Sequence, residues 1–407
     1  MRTVSDGRRR RLLSAALACA ALAGFGLARE AHAQRAEPCI GASWELTGAF
    51  AHQAQQIRYG ATAAIEEINE KGGVLGQRLR LVAYDDQGEP ARAVDNARRI
   101  GERDNCIAML GGFRTPNAIA LREPLHEMEL PWVGTISAGT AVIEFPTNKW
   151  MFRVSMKDRW VAGFLLDRAR EASKSGKVGM VYEATAWGQG GLADAERAAA
   201  ERGVTLAAKE TYNMGDADMS AQLIRLRDAG VDAIVLYGND REVANLLRSM
   251  DRLGYRPAIF AAWGIGARLA ELAGPLAEGV RVAGTFSWLG ELPDRAKGVL
   301  ARMQALFPEI RTPADLLHPS GTANAYDAVH IIAEAIRIAG RFDRGAVREA
   351  MYKVNMTGLV ADYRPAFEPR PDRHDAVTPQ AYRLFAYHNG QLLPVEQTPH
   401  RLAARAN

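Results

Sequence analysis

Residues 59–100 read YGATAAIEEINEKGGVLGQRLRLVAYDDQGEPARAVDNARRI, and this stretch decides the fold. Ile57, just ahead of it, then Ala61, Ala64, Ile65 and Ile68 recur at helical spacing, and Gly72-Gly73 stops the helix as C-terminal glycines do. Leu79, Leu81 and Ala83 alternate as a strand that ends at Asp85-Asp86, and Pro90 stands where the next helix opens. Helix, strand and helix joined this tightly predict a parallel sheet flanked by helices.

The alternation continues outward. Strands are expected at 107–110, 132–136 and 151–155, with a helix from Pro116 between the first two. A second βα series follows, with strands at 178–182, 204–209, 233–237, 258–261 and 280–286. Its helices fall at 161–172, 192–200, 221–229 and 243–253, and three more at 296–307, 323–339 and 345–354. A hairpin about Asn389-Gly390 pairs 382–387 with 392–395. No Pro/Ser-rich linker or short repeat separates the two series.

The wording of the first series resembles the leucine/isoleucine/valine-type periplasmic solute-binding proteins, type I periplasmic binding proteins of ABC importers. Leu46-Thr47-Gly48, Tyr59-Gly60-Ala61, the run from Ile68 to Gly76 and a strand closing in Tyr84-Asp85-Asp86 fall in that order and spacing. The resemblance spans roughly 40–395 and weakens beyond Ala258. It implies an α/β fold of two Rossmann-like, doubly wound lobes with three hinge crossovers, near 155–159, 283–288 and 357–362. Lobe 1 then comprises 38–157 and 286–358, lobe 2 comprises 158–285 and 359–395, and 396–407 is a tail.

The first 33 residues form a signal peptide: a basic Arg8–Arg11 region, an apolar run over 12–27, and Ala31-His32-Ala33 as the cleavage site before Gln34. Arg9-Arg10 partly resembles a twin-arginine signal without its preceding hydroxyl residue, and Ala16-Leu17-Ala18 is a poor lipobox for Cys19. Of 51 basic and 47 acidic residues this segment holds six and two, so the mature chain carries 45 of each. A neutral mature chain gives no electrostatic case for nucleic acid or anionic lipid. An exported, periplasmic monomer is expected. Cys39 opens the first strand and Cys106 the third, neighbours in a sheet ordered 2-1-3, so an oxidising compartment favours a disulfide; two separately buried thiols are the alternative.

Enzyme motifs are missing. Ser175-Gly176-Lys177 lacks the rest of a phosphate loop, His126-Glu127 has no second His at zinc spacing, and Thr135-Ile136-Ser137-Ala138-Gly139 is no nucleophile elbow. The histidines are scattered, so no metal or cofactor is expected, and Asp372-Arg373-His374-Asp375 reads as a solvated loop tip.

What remains are hydroxyls and amides at strand ends, where open α/β sheets place ligands. Thr115 reads as an N-cap with Pro116 at N1, which would aim the amides of Asn117 and Ala118 at an anion. By the resemblance, Thr115 holds a ligand carboxylate, Ala138 and Thr140 hold the amino-acid head group, and Trp187 and Asn239 take the places of two tyrosines from the other lobe. The resembled family's acid for the ligand ammonium is replaced by Ala262-Trp263-Gly264. A buried ammonium without a negative partner is costly. Either Asp158, Glu183 or Asp240 substitutes, or the ligand has no amino group. Trp44, Phe113, Trp187 and Trp263 are expected to face the cleft and Arg114 to pair with an acid group, which points to a small carboxylate with an apolar or aromatic body. The protein would then pass this ligand to the membrane permease of an ABC importer, without catalysis. A ligand sensor of the same fold acting on a partner protein is the alternative.

Overall fold

The computed structural model describes residues 37–402, so the signal peptide expected over 1–33 lies outside the described residues. The first sheet is laid down as β1 (Cys39–Trp44), α1 (Ala51–Glu70), β2 (Arg80–Asp85), α2 (Pro90–Arg98), β3 (Ala108–Leu110), α3 (Thr115–Ala120), α4 (Arg122–Glu127), β4 (Trp132–Gly134), α5 (Thr140–Ile143) and β5 (Met151–Arg153). The strands are parallel in the order β2-β1-β3-β4-β5. Ile57, Ala61, Ala64, Ile65 and Ile68 form the buried stripe of α1. The side chain of Asn69 then clamps the start of β2, accepting from the Leu79 amide at 2.8 Å and donating to the Leu79 carbonyl at 2.9 Å.

The second sheet is built from α6 (Asp158–Ala172), β6 (Val178–Glu183), α7 (Ala186–Glu201), β7 (Ala208–Tyr212), α8 (Ser220–Asp228), β8 (Ala233–Tyr237), α9 (Asp240–Leu253), β9 (Ala258–Ala261), α10 (Arg268–Ala273) and β10 (Arg281–Gly284). The chain then returns to the first lobe as α11 (Asp294–Leu306), α12 (Pro319–Ala339), α13 (Arg344–Met351) and a short antiparallel pair, β11 (Met356–Thr357) and β12 (Asp362–Tyr363). It ends in the hairpin β13 (Arg383–His388) and β14 (Gln391–Pro394), which completes the second sheet as β14-β13-β10-β9-β8-β6-β7. The fold is therefore α/β with two doubly wound lobes. No helix among the described residues is long and apolar enough to cross a membrane.

Passages between the sheets fall at 154–157 and 285–293. The third comes later than 357–362, because residues 363–377 stay against the first sheet. Asp375 makes an isolated bridge to Arg153 and a 2.6 Å ion pair with its guanidinium, while Phe367 and His374 pack on Phe152. The chain leaves only at 378–382. This also corrects the loop-tip expectation, since His374 is 1% exposed and Asp375 is held by Arg153 and Lys157.

Cys39 and Cys106 form a disulfide between the starts of β1 and β3. Bridging residues 67 apart contributes about 4 kcal/mol in the chain-entropy account.

Candidate functional site

A cavity lies between the lobes at the C-terminal ends of the strands. It is lined by Phe50, Phe113, Arg114, Thr115, Pro116, Ile136 and Ala138 from the first lobe, and by Glu183, Thr185, Trp187, Met214, Asn239, Trp263 and Gly264 from the second. The cavity is partly open to solvent, with about 430 Å³ of empty space between its walls and the cleft mouth.

On the first lobe, the turn after β3 presents Phe113, Arg114 and Thr115. The Arg114 guanidinium lies over the Phe50 ring, 5.3 Å from its centroid, and 3.4 Å from Glu45 Oε2. Phe50 and Phe113 meet at 5.0 Å. Thr115 is the first helical residue of α3 rather than its N-cap, which is Arg114. Its hydroxyl accepts from the Gly139 amide at 3.3 Å and keeps its own proton to donate. The Ala118 amide does not face the cleft, because it donates to the Arg114 carbonyl within the helix.

On the second lobe, Glu183 ends β6. Its Oε1 accepts from the Thr185 hydroxyl and its Oε2 from Asn239 Nδ2. Burial pushes its carboxyl up to about 7, while Thr185, Arg114 and Asn239 favour the charged form and Glu242 opposes it. Asn239 Oδ1 is buried and has no hydrogen-bond partner. Trp187 packs on Tyr237 at 5.3 Å, and Trp263 is fixed by His318, whose Nε2 lies 3.0 Å from its carbonyl.

Arg114, Thr115, Ala138, Trp187, Asn239 and Trp263 are thus brought together, with Phe113 and Glu183, and four other expected residues are not. The Thr140 hydroxyl donates to Asp194 of α7 at 2.5 Å and accepts from the Arg159 amide, so it ties the lobes instead of lining the cavity. Asp158 is fully buried behind Trp187; burial, then Asp194, raises its carboxyl to about 8, while Arg153 and the Trp187 indole act against the rise. Its amide donates to the Ala138 carbonyl at 2.9 Å, across the lobes. Asp240 is spent on the Gly266 amide and His52. Trp44 is a core residue whose indole donates to the Gly111 carbonyl. Phe50, Thr185 and Met214 were not expected. Phe50 follows the Leu46-Thr47-Gly48 loop at the end of β1, so the strand-end rule applied to that loop would have found it.

Residues 39–391 match the family model described as periplasmic binding protein, and the chain belongs to that family. Among relatives, it is 29% identical over 344 residues to "Leu/Ile/Val-binding protein homolog 3" of Brucella melitensis, covering 84% of this chain and 88% of that protein. It is 28% identical over 346 residues to the leucine-, isoleucine-, valine-, threonine- and alanine-binding protein of Pseudomonas aeruginosa, covering 83% and 87%. A solved type 1 periplasmic binding protein from Bordetella pertussis superposes with a TM-score of 0.77 at 25% identity, over 88% of this chain and all of that one. A branched-chain amino acid ABC transporter protein from Thermus thermophilus with bound valine shares the fold, with a TM-score of 0.75 at 22% identity over 88% and 95%. The protein has a substrate-binding role.

Proposed function

We propose that this protein is the periplasmic substrate-binding component of an ABC importer, and that it takes an α-amino acid with a bulky apolar or aromatic side chain. The observation that carries the ligand class is the polarity of the two cavity walls. The first lobe offers donors, Arg114 and the Thr115 hydroxyl, and the second offers acceptors, Glu183 and the unpartnered Asn239 Oδ1. Donors facing acceptors across a cavity match the carboxylate and ammonium of a zwitterion. The acid missing after β9 is in this reading supplied from the end of β6. Phe50, Phe113, Trp187 and Trp263 supply the walls for an apolar body. The branched-chain ligands in the names of the relatives agree with this class.

In this reading capture has the lobes part about the three passages and close again, with contacts to both lobes favouring closure. No catalytic step belongs to this function.

Calorimetric titration of the exported protein with leucine, phenylalanine and 3-phenylpropionate tests it. The amino acids are expected to bind, and the acid without an amino group to bind roughly ten- to a hundredfold more weakly, the cost of a lost charged hydrogen bond. Glu183→Gln should remove most of that preference. Equal or tighter binding of 3-phenylpropionate would overturn the amino-acid reading.

A further inference from the structure

Far from the cavity, three side chains from separate segments converge on one point. Glu278 precedes β10, His388 ends β13, and His400 lies in the tail beyond β14. Glu278 Oε1 is 2.8 Å from His388 Nδ1 and 2.5 Å from His400 Nε2, and the three atoms lie within 4.8 Å of one another. The two imidazole rings are edge-to-face at 5.7 Å, so their nitrogens aim inward rather than stack.

The surroundings hold this arrangement in place. The Asn389 amide donates to Glu278 Oε2 at 3.0 Å. His400 is pinned through its backbone: its carbonyl accepts from Arg281 Nε at 2.9 Å and its amide donates to Thr398 Oγ1 at 3.2 Å. Gly279 has φ +76°, and a Cβ there would sit 3.3 Å from His400 Nδ1, so the glycine leaves the seat that the ring occupies. The side chains are 41%, 28% and 23% exposed for Glu278, His388 and His400, within reach of a solute.

We propose that Glu278, His388 and His400 bind one divalent transition-metal ion of the zinc class. Two imidazoles and a carboxylate with a position open to water form a known ligand set for such ions, at about 2.0–2.2 Å per bond. The carboxylate oxygen now accepts from both rings. A metal replaces those two protons, and tetrahedral bonds of that length set the ligand atoms about 3.3 Å apart, a widening that side-chain rotation supplies. Imidazole donors exclude magnesium and calcium, which take oxygen shells. His388 Nε2 lies 3.0 Å from Asn389 Nδ2; with the metal on Nδ1 the ring proton sits on Nε2, and turning the Asn389 amide over lets its Oδ1 accept that proton and orient the ring from behind. The bound ion clips the tail to the hairpin at the N-terminal end of β10. That end is opposite the cleft, since β10 runs parallel to β9 and the cavity lies at the C-terminal strand ends. Ion binding and amino-acid capture are therefore independent.

Untagged exported protein, stripped with EDTA, is titrated with Zn²⁺ in competition with a chromophoric chelator. One equivalent per chain is expected, unaffected by excess Mg²⁺, with at least tenfold weaker binding in His400→Gln and in Glu278→Gln. Zn²⁺ should also slow carboxypeptidase trimming beyond Gln397 in the wild type and not in His400→Gln. His400 lies in the tail, so its variant decides the matter even where Glu278→Gln loosens the hairpin. Absence of a stoichiometric Zn²⁺ site, or one that both variants leave unchanged, overturns the proposal.

Discussion

Glu183 sits in the cavity with its carboxyl raised to about 7, so at neutral pH it carries a proton about half of the time. An ammonium ligand binds the ionised form, and below that pH it must first displace the proton. Affinity for a bound amino acid should therefore rise by only about twofold from pH 7 to 8, and fall by up to about tenfold per unit as pH drops well below 7. Calorimetry across pH 5.5–8 measures the slope, and Glu183→Gln should abolish it. A slope that survives the substitution would place the titrating group elsewhere. The sequence shows that the acid after β9 is missing and names Glu183 among three substitutes. Choosing between them requires knowing which strand ends meet across the cleft, and local patterning holds no such information. Thr140 illustrates the same limit from the other side. Its hydroxyl fits the resembled pattern, yet α5 carries it to Asp194 and out of the cavity.

Among the elements, α1 and α12 make the closest helix contact of the first lobe. A Cβ on Gly60 would lie 2.0 Å from the Thr322 carbonyl oxygen, which belongs to the backbone and cannot rotate away. Gly60→Ala should force the helices apart and cost roughly 1–3 kcal/mol, seen as a lower urea midpoint at unchanged slope. An unchanged midpoint would mean that the helices separate freely. The stripe on α1 was legible because it repeats within one helix. The start of β7 was not, and the reason is local: Val204 and Leu206 alternate as strand residues do, but the Val204 amide closes the end of α7 on the Ala199 carbonyl. β7 consequently begins at Ala208. Residues 363–377 lie with the first lobe although they follow 357–362, because Arg153, more than 200 positions away, draws Asp375 back to the first sheet.

For the molecule as a whole, the buried acids set how stability responds to pH. Asp158 titrates at about 8 when folded, well above its unfolded value, so the fold holds a proton that the open chain has released. Stability from this source is present at low pH and is lost as pH rises through 8, by up to about 1.4 kcal/mol per unit between roughly 6.5 and 8. The buried His330 and His374, both lowered to about 4, act below 6.5, and Glu183, raised to about 7, adds to the fall only up to that pH. Urea midpoints should fall from pH 6.5 to 8.5, and Asp158→Asn should flatten the fall above pH 7. A wild-type profile that rises over this range would contradict it. The ties between the lobes have a kinetic meaning too. Thr140 to Asp194, the Asp158 amide to Ala138, and His52 to Asp240 join the two walls of the cleft. Parting the lobes to admit a ligand breaks these bonds first. In stopped-flow mixing the observed rate should therefore climb with ligand concentration only to a ceiling, the speed of the gate itself. Thr140→Ala, which removes one tie of the closed state, should lift that ceiling and raise the initial slope by a similar factor.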